Sequence, residues 1–208
     1  MTSAKWHDII EQLKGHTIEF APALTDAEIA FVESKFSFSF PPDLRAFLQT
    51  ALPQEKGFPD WRSGDDKALR HWLELPRRGV LFDVERNSFW LPEWGQRPEH
   101  LQDALQAAEK VIAAAPKLIP IFEHRMMPDE PSLEGNPVFS VHQTDIIYYG
   151  FNLEDYLRHE FDLAGRAPWP DPGPEKTCPI RFWNIDRFQE VRWGSGPVEL
   201  DNHRGILP

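Results

Sequence analysis

The sequence predicts an α+β fold, a mainly antiparallel sheet packed with helices. Three observations predict it. Gly135–Phe161 reads as strand, short turn, strand, cap and helix. Several other segments carry apolar residues at helical spacing. A lone hairpin is not stable in water, so this unit needs the other segments packed on it, and a chain that is 41% hydrophobic can supply them.

Within the unit, Val138, Ser140 and His142 alternate with Phe139 and Val141. Gln143 and Thr144 can turn the chain. Ile146–Tyr149 is a β-branched and aromatic run ended by Gly150. Asn152 can cap the next helix by accepting from an N–H of its first turn. Leu153, Tyr156, Leu157 and Phe161 then give that helix an apolar face.

From the start of the chain, Trp6, Ile9, Ile10 and Leu13 predict an amphipathic helix ended by Gly15, and Ile18 and Phe20 a short edge strand. Thr25 and Glu28 have capping-box spacing ahead of Ile29, Phe31, Val32 and Phe36. Pro42 suits the first turn of a helix with Leu44, Phe47 and Leu48 inward, stopped by Pro53. After a loop over 53–66, a helix covers Asp66–Leu75 with Leu69, Trp72 and Leu73 inward. Val80–Phe82 reads equally as a strand or a helical turn. Pro98–Pro116 is a helix with a stripe of Leu101, Leu105, Ala108, Val111, Ile112 and Ala115. Leu118–Phe122 is a short strand whose Pro120 implies an edge or a bulge. His124–Asn136 reads as a polar loop. Ala164–Thr177 reads as a surface linker, Ile180, Phe182 and Trp183 as a strand or short helix docking on the core, and Val191–Pro208 as an irregular tail. The division expected is a domain over 1–162, its core at about 20–162, with a Pro/Gly-rich extension over 163–208 docked on it.

The stretches Leu24–Leu48, Lys117–Phe122 and Asn136–Leu157, in the order helix, Phe-Pro-Pro, helix, "IPIF", "NPV", "DII" and "LEDYL", resemble the Smi/Knr-type family of the SUKH superfamily. The resemblance implies a SUKH-like α+β fold and a non-catalytic binding role. Many bacterial members are immunity proteins that neutralise toxins, often nucleases; fungal relatives regulate cell-wall synthesis. The expected function is therefore an immunity protein that neutralises a cognate toxin through an acidic surface, with a regulatory scaffold or interaction protein as the alternative.

Composition narrows the partners. The chain carries 33 acidic and 22 basic residues, a net charge of −11. Direct nucleic-acid binding needs cations that displace counterions, so this balance argues against it. It permits steering of a basic partner, here expected to be a toxin domain. Much of the excess falls in Glu123–Asp162, with nine acidic and two basic residues. A single cysteine, Cys178, allows no internal disulfide. No secretory signal or membrane-length apolar run is read, so a cytoplasmic protein is expected. The residues do not disclose the oligomeric state.

No constellation marks a reaction. Ser140, His142 and Asp145 are close in sequence, but nothing marks an oxyanion hole or a strained nucleophile turn. His124, among Glu123, Asp129 and Glu130, lacks a second histidine at ligand spacing, so no metal and no cofactor is expected. His159, in a last helical turn, suits the negative end of the helix dipole. The tryptophans are more telling: Trp61, Trp90, Trp94 and Trp169 sit in Pro/Gly-bearing segments, where aromatic residues either anchor a partner or pin a loop to the core. The partner-binding set expected on these grounds is Asp60, Trp61, Asp65, Asp66, Trp90, Glu93, Trp94, Asp129, Glu130, Glu134 and Asp145.

Overall fold

The computed structural model describes residues 2–166 and 178–193. Trp169, most of the expected linker and the tail beyond 193 lie outside the described residues. The first helix, α1 (Thr2–Gly15), is followed by β1 (Phe20–Ala21), α2 (Asp26–Phe36), α3 (Pro42–Leu48) and β2 (Leu52–Pro53). The capping box opens α2: the Thr25 side chain accepts from Glu28 N, and Glu28 accepts from Thr25 N at 2.8 Å. Pro42 takes the first turn of α3, but Leu48 ends that helix and Pro53 does not stop it. Pro53 instead pairs with Phe20, antiparallel, in the small β1–β2 sheet.

Two helices, α4 (Asp66–Leu73) and α5 (Leu75–Arg86), meet at an elbow around Glu74. The segment that read equally as strand or helical turn at Val80–Phe82 is therefore the middle of a helix. Pro76 lies in its first turn, where no N–H is required. Helix α6 (Leu101–Ala113) follows, and its buried side is Ala104, Ala108 and Ile112. The expected stripe is rotated: Leu101 lies 40% exposed.

The main sheet is antiparallel, in the order β3 (Leu118–Phe122), β4 (Arg125–Pro128), β5 (Val138–His142) and β6 (Asp145–Gly150). Pro120 lies on the edge strand beside a register shift between Pro120 and Phe122, so the edge and the irregularity coincide. Strand β4 corrects the expectation of a polar loop over His124–Asn136: all four of its residues are buried, Arg125 included. Hairpin β5–β6 turns at Gln143 and Thr144 as expected. Asn152 then caps α7 (Leu153–Glu160), accepting from Asp155 N at 2.9 Å.

Alternation within the strands sends successive side chains to opposite faces. Ile119, Ile121, Met127 and Val138 join α1, α2, α3 and α7 in one cluster, centred on Trp6, Phe47 and Tyr156. Leu118, Met126, Phe139, Val141 and Ile146 join α5, α6 and a last helix, α8 (Ile185–Trp193), in the other. Both faces of the sheet are thus buried. Ile180 and Trp183 are buried on the core and Phe182 is half-buried, but the segment forms neither the expected strand nor a short helix before α8. Val191 begins no tail, because α8 runs on to Trp193.

Candidate binding face

Helix α4 forms from "DKALRHWL" because Asp65 caps it, accepting from Ala68 N at 2.9 Å. Leu69 alone of its residues is buried. Trp72 and Leu73, expected inward, are half-buried instead, because each faces an open groove. One groove, of about 580 Å³, has Ala68, Trp72 and Leu75 for its apolar surface and Lys67, His71 and His124 at its margins. It ends at the β3–β4 turn, where Trp72 Nε1 donates to the Glu123 carbonyl at 2.7 Å. The other groove, of about 430 Å³, runs between the elbow and α6, over Phe36, Leu73, Ile112, Leu118 and Trp183.

Ridges continue from the first groove. Arg78 Nη1 bonds His71 Nδ1 at 2.8 Å, and Phe82, two turns beyond Leu75 on α5, is 45% exposed. Helix α5 crosses the β5–β6 turn closely at Gly79, where a Cβ would stand 2.7 Å from Gln143 Cα. This contact holds the elbow against the sheet.

Beside the β3–β4 turn lies a polar cluster. The Arg125 guanidinium stacks 3.7 Å from the Tyr149 ring centroid, donates to Ser140 Oγ at 3.2 Å, contacts His124 Nε2, and pairs with Glu160 at 3.5 Å. Burial raises the Glu160 carboxyl above the usual range against the opposing pull of Arg125. Burial, reinforced by Glu160, pushes the Tyr156 phenol well above its usual value, and its hydroxyl has no hydrogen-bond partner among the described residues. Burial and then Arg125 hold the His124 ring below its ordinary value, against the pull of Glu123. Ser140 therefore serves Arg125, while His142 is exposed and lies opposite Asp145 in the hairpin register. His159 pairs with Asp155 one turn earlier in α7, at 3.6 Å. Among the described residues, no three potential metal ligands are close enough to share an ion.

A second polar node ties α5 to the sheet and to α8. Fully buried Asp83 accepts from Thr144 N at 2.9 Å and Thr144 Oγ1 at 2.6 Å, and pairs with Arg192 at 3.0 Å. Burial would raise this carboxyl, but the Thr144 and Asn87 hydrogen bonds and the Arg192 charge outweigh it and hold it low.

The residues expected to bind a partner do not form one face. Asp129, Glu130 and Glu134 follow β4, at the end of the sheet opposite the β5–β6 turn that carries Asp145. Asp66, Glu93 and Glu130 pair with Lys35, Arg187 and Arg181. Asp60 accepts from Arg62 N, Ser63 N and Ser63 Oγ, Asp129 from Lys117 N, and Asp145 from Gln189. Glu134 is exposed. Trp61 is a correction: at 4% exposure it packs against Phe36, Phe38 and Phe40 and is no surface anchor. Trp90 and Trp94 are half-buried over the other cluster, Trp90 donating to the Gly95 carbonyl and Trp94 stacking on Phe182. Of the expected set, Asp65 lines the first groove, and Glu93 and Trp94 line a separate pocket of about 350 Å³ with Phe182 and Arg187.

Sequence reasoning missed Lys67, His71, Leu75, Arg78 and His124 as one surface. The available signal was Leu75, Arg78 and Phe82 at one-face helical spacing, hidden while the segment read equally as strand or helix. Compared with protein-family models, with curated proteins and with solved structures, the chain matches none.

Proposed function

We propose that this chain is a non-catalytic, stoichiometric protein-binding module, acting as an immunity protein that neutralises a cognate toxin. The observation that carries this reading is the pair of open, apolar-floored grooves on either side of one exposed helix. Such surfaces accept the anchoring side chains of a protein partner. The resemblance quoted above points the same way. The polar cluster beside the β3–β4 turn supports it too, since Arg125 donates to Ser140 and pairs with Glu160. No described helix is long and apolar enough to cross a membrane, so nothing in the described helices calls for a bilayer.

Co-expression of the full chain with the product of the neighbouring reading frame tests this. The expected result is a one-to-one complex on size-exclusion chromatography and relief of that product's toxicity. If neither appears, or if the chain alone turns over a substrate and loses that activity on Ser140→Ala, the reading fails.

A further inference from the structure

We infer that the α4–α5 elbow pairs this chain with a second copy of itself, about a twofold axis that seats Phe82 of each copy in the other's groove over Trp72 and Leu75. The inference goes beyond the protein-binding reading and does not depend on it. The groove over Phe36 and Leu73, on the far side of α4, is left for another partner.

The elbow is self-complementary in shape. Phe82 stands out from α5, 45% exposed, and Leu75 is 39% exposed at the start of the same helix. Seven positions apart, the two lie on one side of the helix. Ala68, Trp72 and Leu75 floor an open groove of about 580 Å³. A knob and a hole thus share one face. At about 1.5 Å of rise per residue, Phe82 stands about 10 Å along the helix from Leu75. The approach of Gly79 to Gln143 and the bonds from Thr144 to Asp83 hold α5 to the sheet, so that spacing is fixed. In a twofold pair, residue i meets j and j meets i. An axis midway between Leu75 and Phe82 therefore makes the same apolar contact twice.

Charge follows the same division. Two acids and one base, Asp65, Glu123 and Lys67, line the groove. Two bases and one acid flank the knob: Arg78 and Arg86 stand one turn to either side of Phe82, with Glu85 beside it. Hole and knob are opposite in sign as well as in shape. An acidic partner meets Asp65 and Glu123, and a basic one meets Arg78 and Arg86; a second copy offers each its opposite. Arg78 lies nearest the axis, and its bond to His71 Nδ1 at 2.8 Å draws it toward α4. Glu85 and Arg86 pair with each other at 3.3 Å, but both are exposed, so the pair is open to exchange. Over residues 65–86, five acidic and five basic side chains cancel, in a chain of net charge −11. Two copies repel through their net charge and approach best through a neutral face.

Sedimentation velocity on the full chain alone, from about 1 to 500 μM, tests this. An interface of two helices a side is small, so a dimer with a Kd of about 1–100 μM is expected. Phe82→Asp removes the knob and Leu75→Asp spoils the hole; each should weaken the dimer at least about tenfold. Both positions are exposed, and unchanged thermal melting shows that the variants fold. Mixing the two variants is the decisive arm. Either variant paired with itself keeps no intact contact. The mixed pair keeps one, Phe82 of one chain in the unaltered groove of the other, so the mixture should associate more tightly than either variant alone. A chain that is monomeric at about 500 μM, a dimer that tolerates both substitutions, or a mixture no tighter than its components overturns the inference. No other protein enters this measurement, so its failure leaves the protein-binding reading standing, and the co-expression experiment tests that reading separately.

Discussion

Tyr156 is wholly buried, and among the described residues its hydroxyl finds no partner, although Glu160 lies near enough to disfavour its ionisation. A desolvated, unpaired hydroxyl costs stability, so Tyr156→Phe should be neutral or stabilising by about 1 kcal/mol, measured by urea denaturation. A large loss would mean that the hydroxyl makes a bond in solution. Glu28 shows the opposite economy. Hydrogen bonds from Arg62, then from the Thr25 backbone and side chain, depress its carboxyl from 4.5 to about 2. A depressed carboxyl adds stability above its unfolded pKa and loses it as pH falls through the folded one. Glu28→Gln should therefore lower the melting temperature above pH about 4.5, with the gap closing toward pH about 2. The cap was legible because Thr25 and Glu28 lie three residues apart; Arg62, 34 residues away, was not.

The elements that read correctly are those whose signals are local. Asn152 capping α7 and the Gln143–Thr144 turn each depend on a few consecutive residues. Strand β4 failed for the opposite reason. Arg125 and Pro128 look like loop residues until Tyr149 and Glu160, from elsewhere in the chain, surround the arginine. Helix α5 was obscured by Gly79, which favours a helix poorly but is required where the helix meets the β5–β6 turn. Alanine there would ordinarily strengthen a helix by up to about 1 kcal/mol. Its Cβ would meet Gln143 Cα at 2.7 Å, a backbone atom, so Gly79→Ala should instead destabilise by about 1–3 kcal/mol in chemical denaturation.

At the scale of the whole molecule, the sheet joins two cores, and α8 belongs to one of them. Phe188 is fully buried there, as Phe47 is in the other core. Phe188→Ala and Phe47→Ala should therefore cost similar amounts, about 3–5 kcal/mol each, within one cooperative unfolding transition. A small effect at Phe188, or a separate transition, would make α8 an appendage. What the residue order determined by itself was the α+β class, the hairpin, the caps and the net charge, because propensity, capping and total charge depend on composition and near neighbours. Tertiary structure decided which acids are neutralised, which tryptophans are buried and where apolar side chains line open grooves. Those outcomes depend on partners such as Asp83 and Arg192, 109 positions apart, which only folding brings within 3.0 Å.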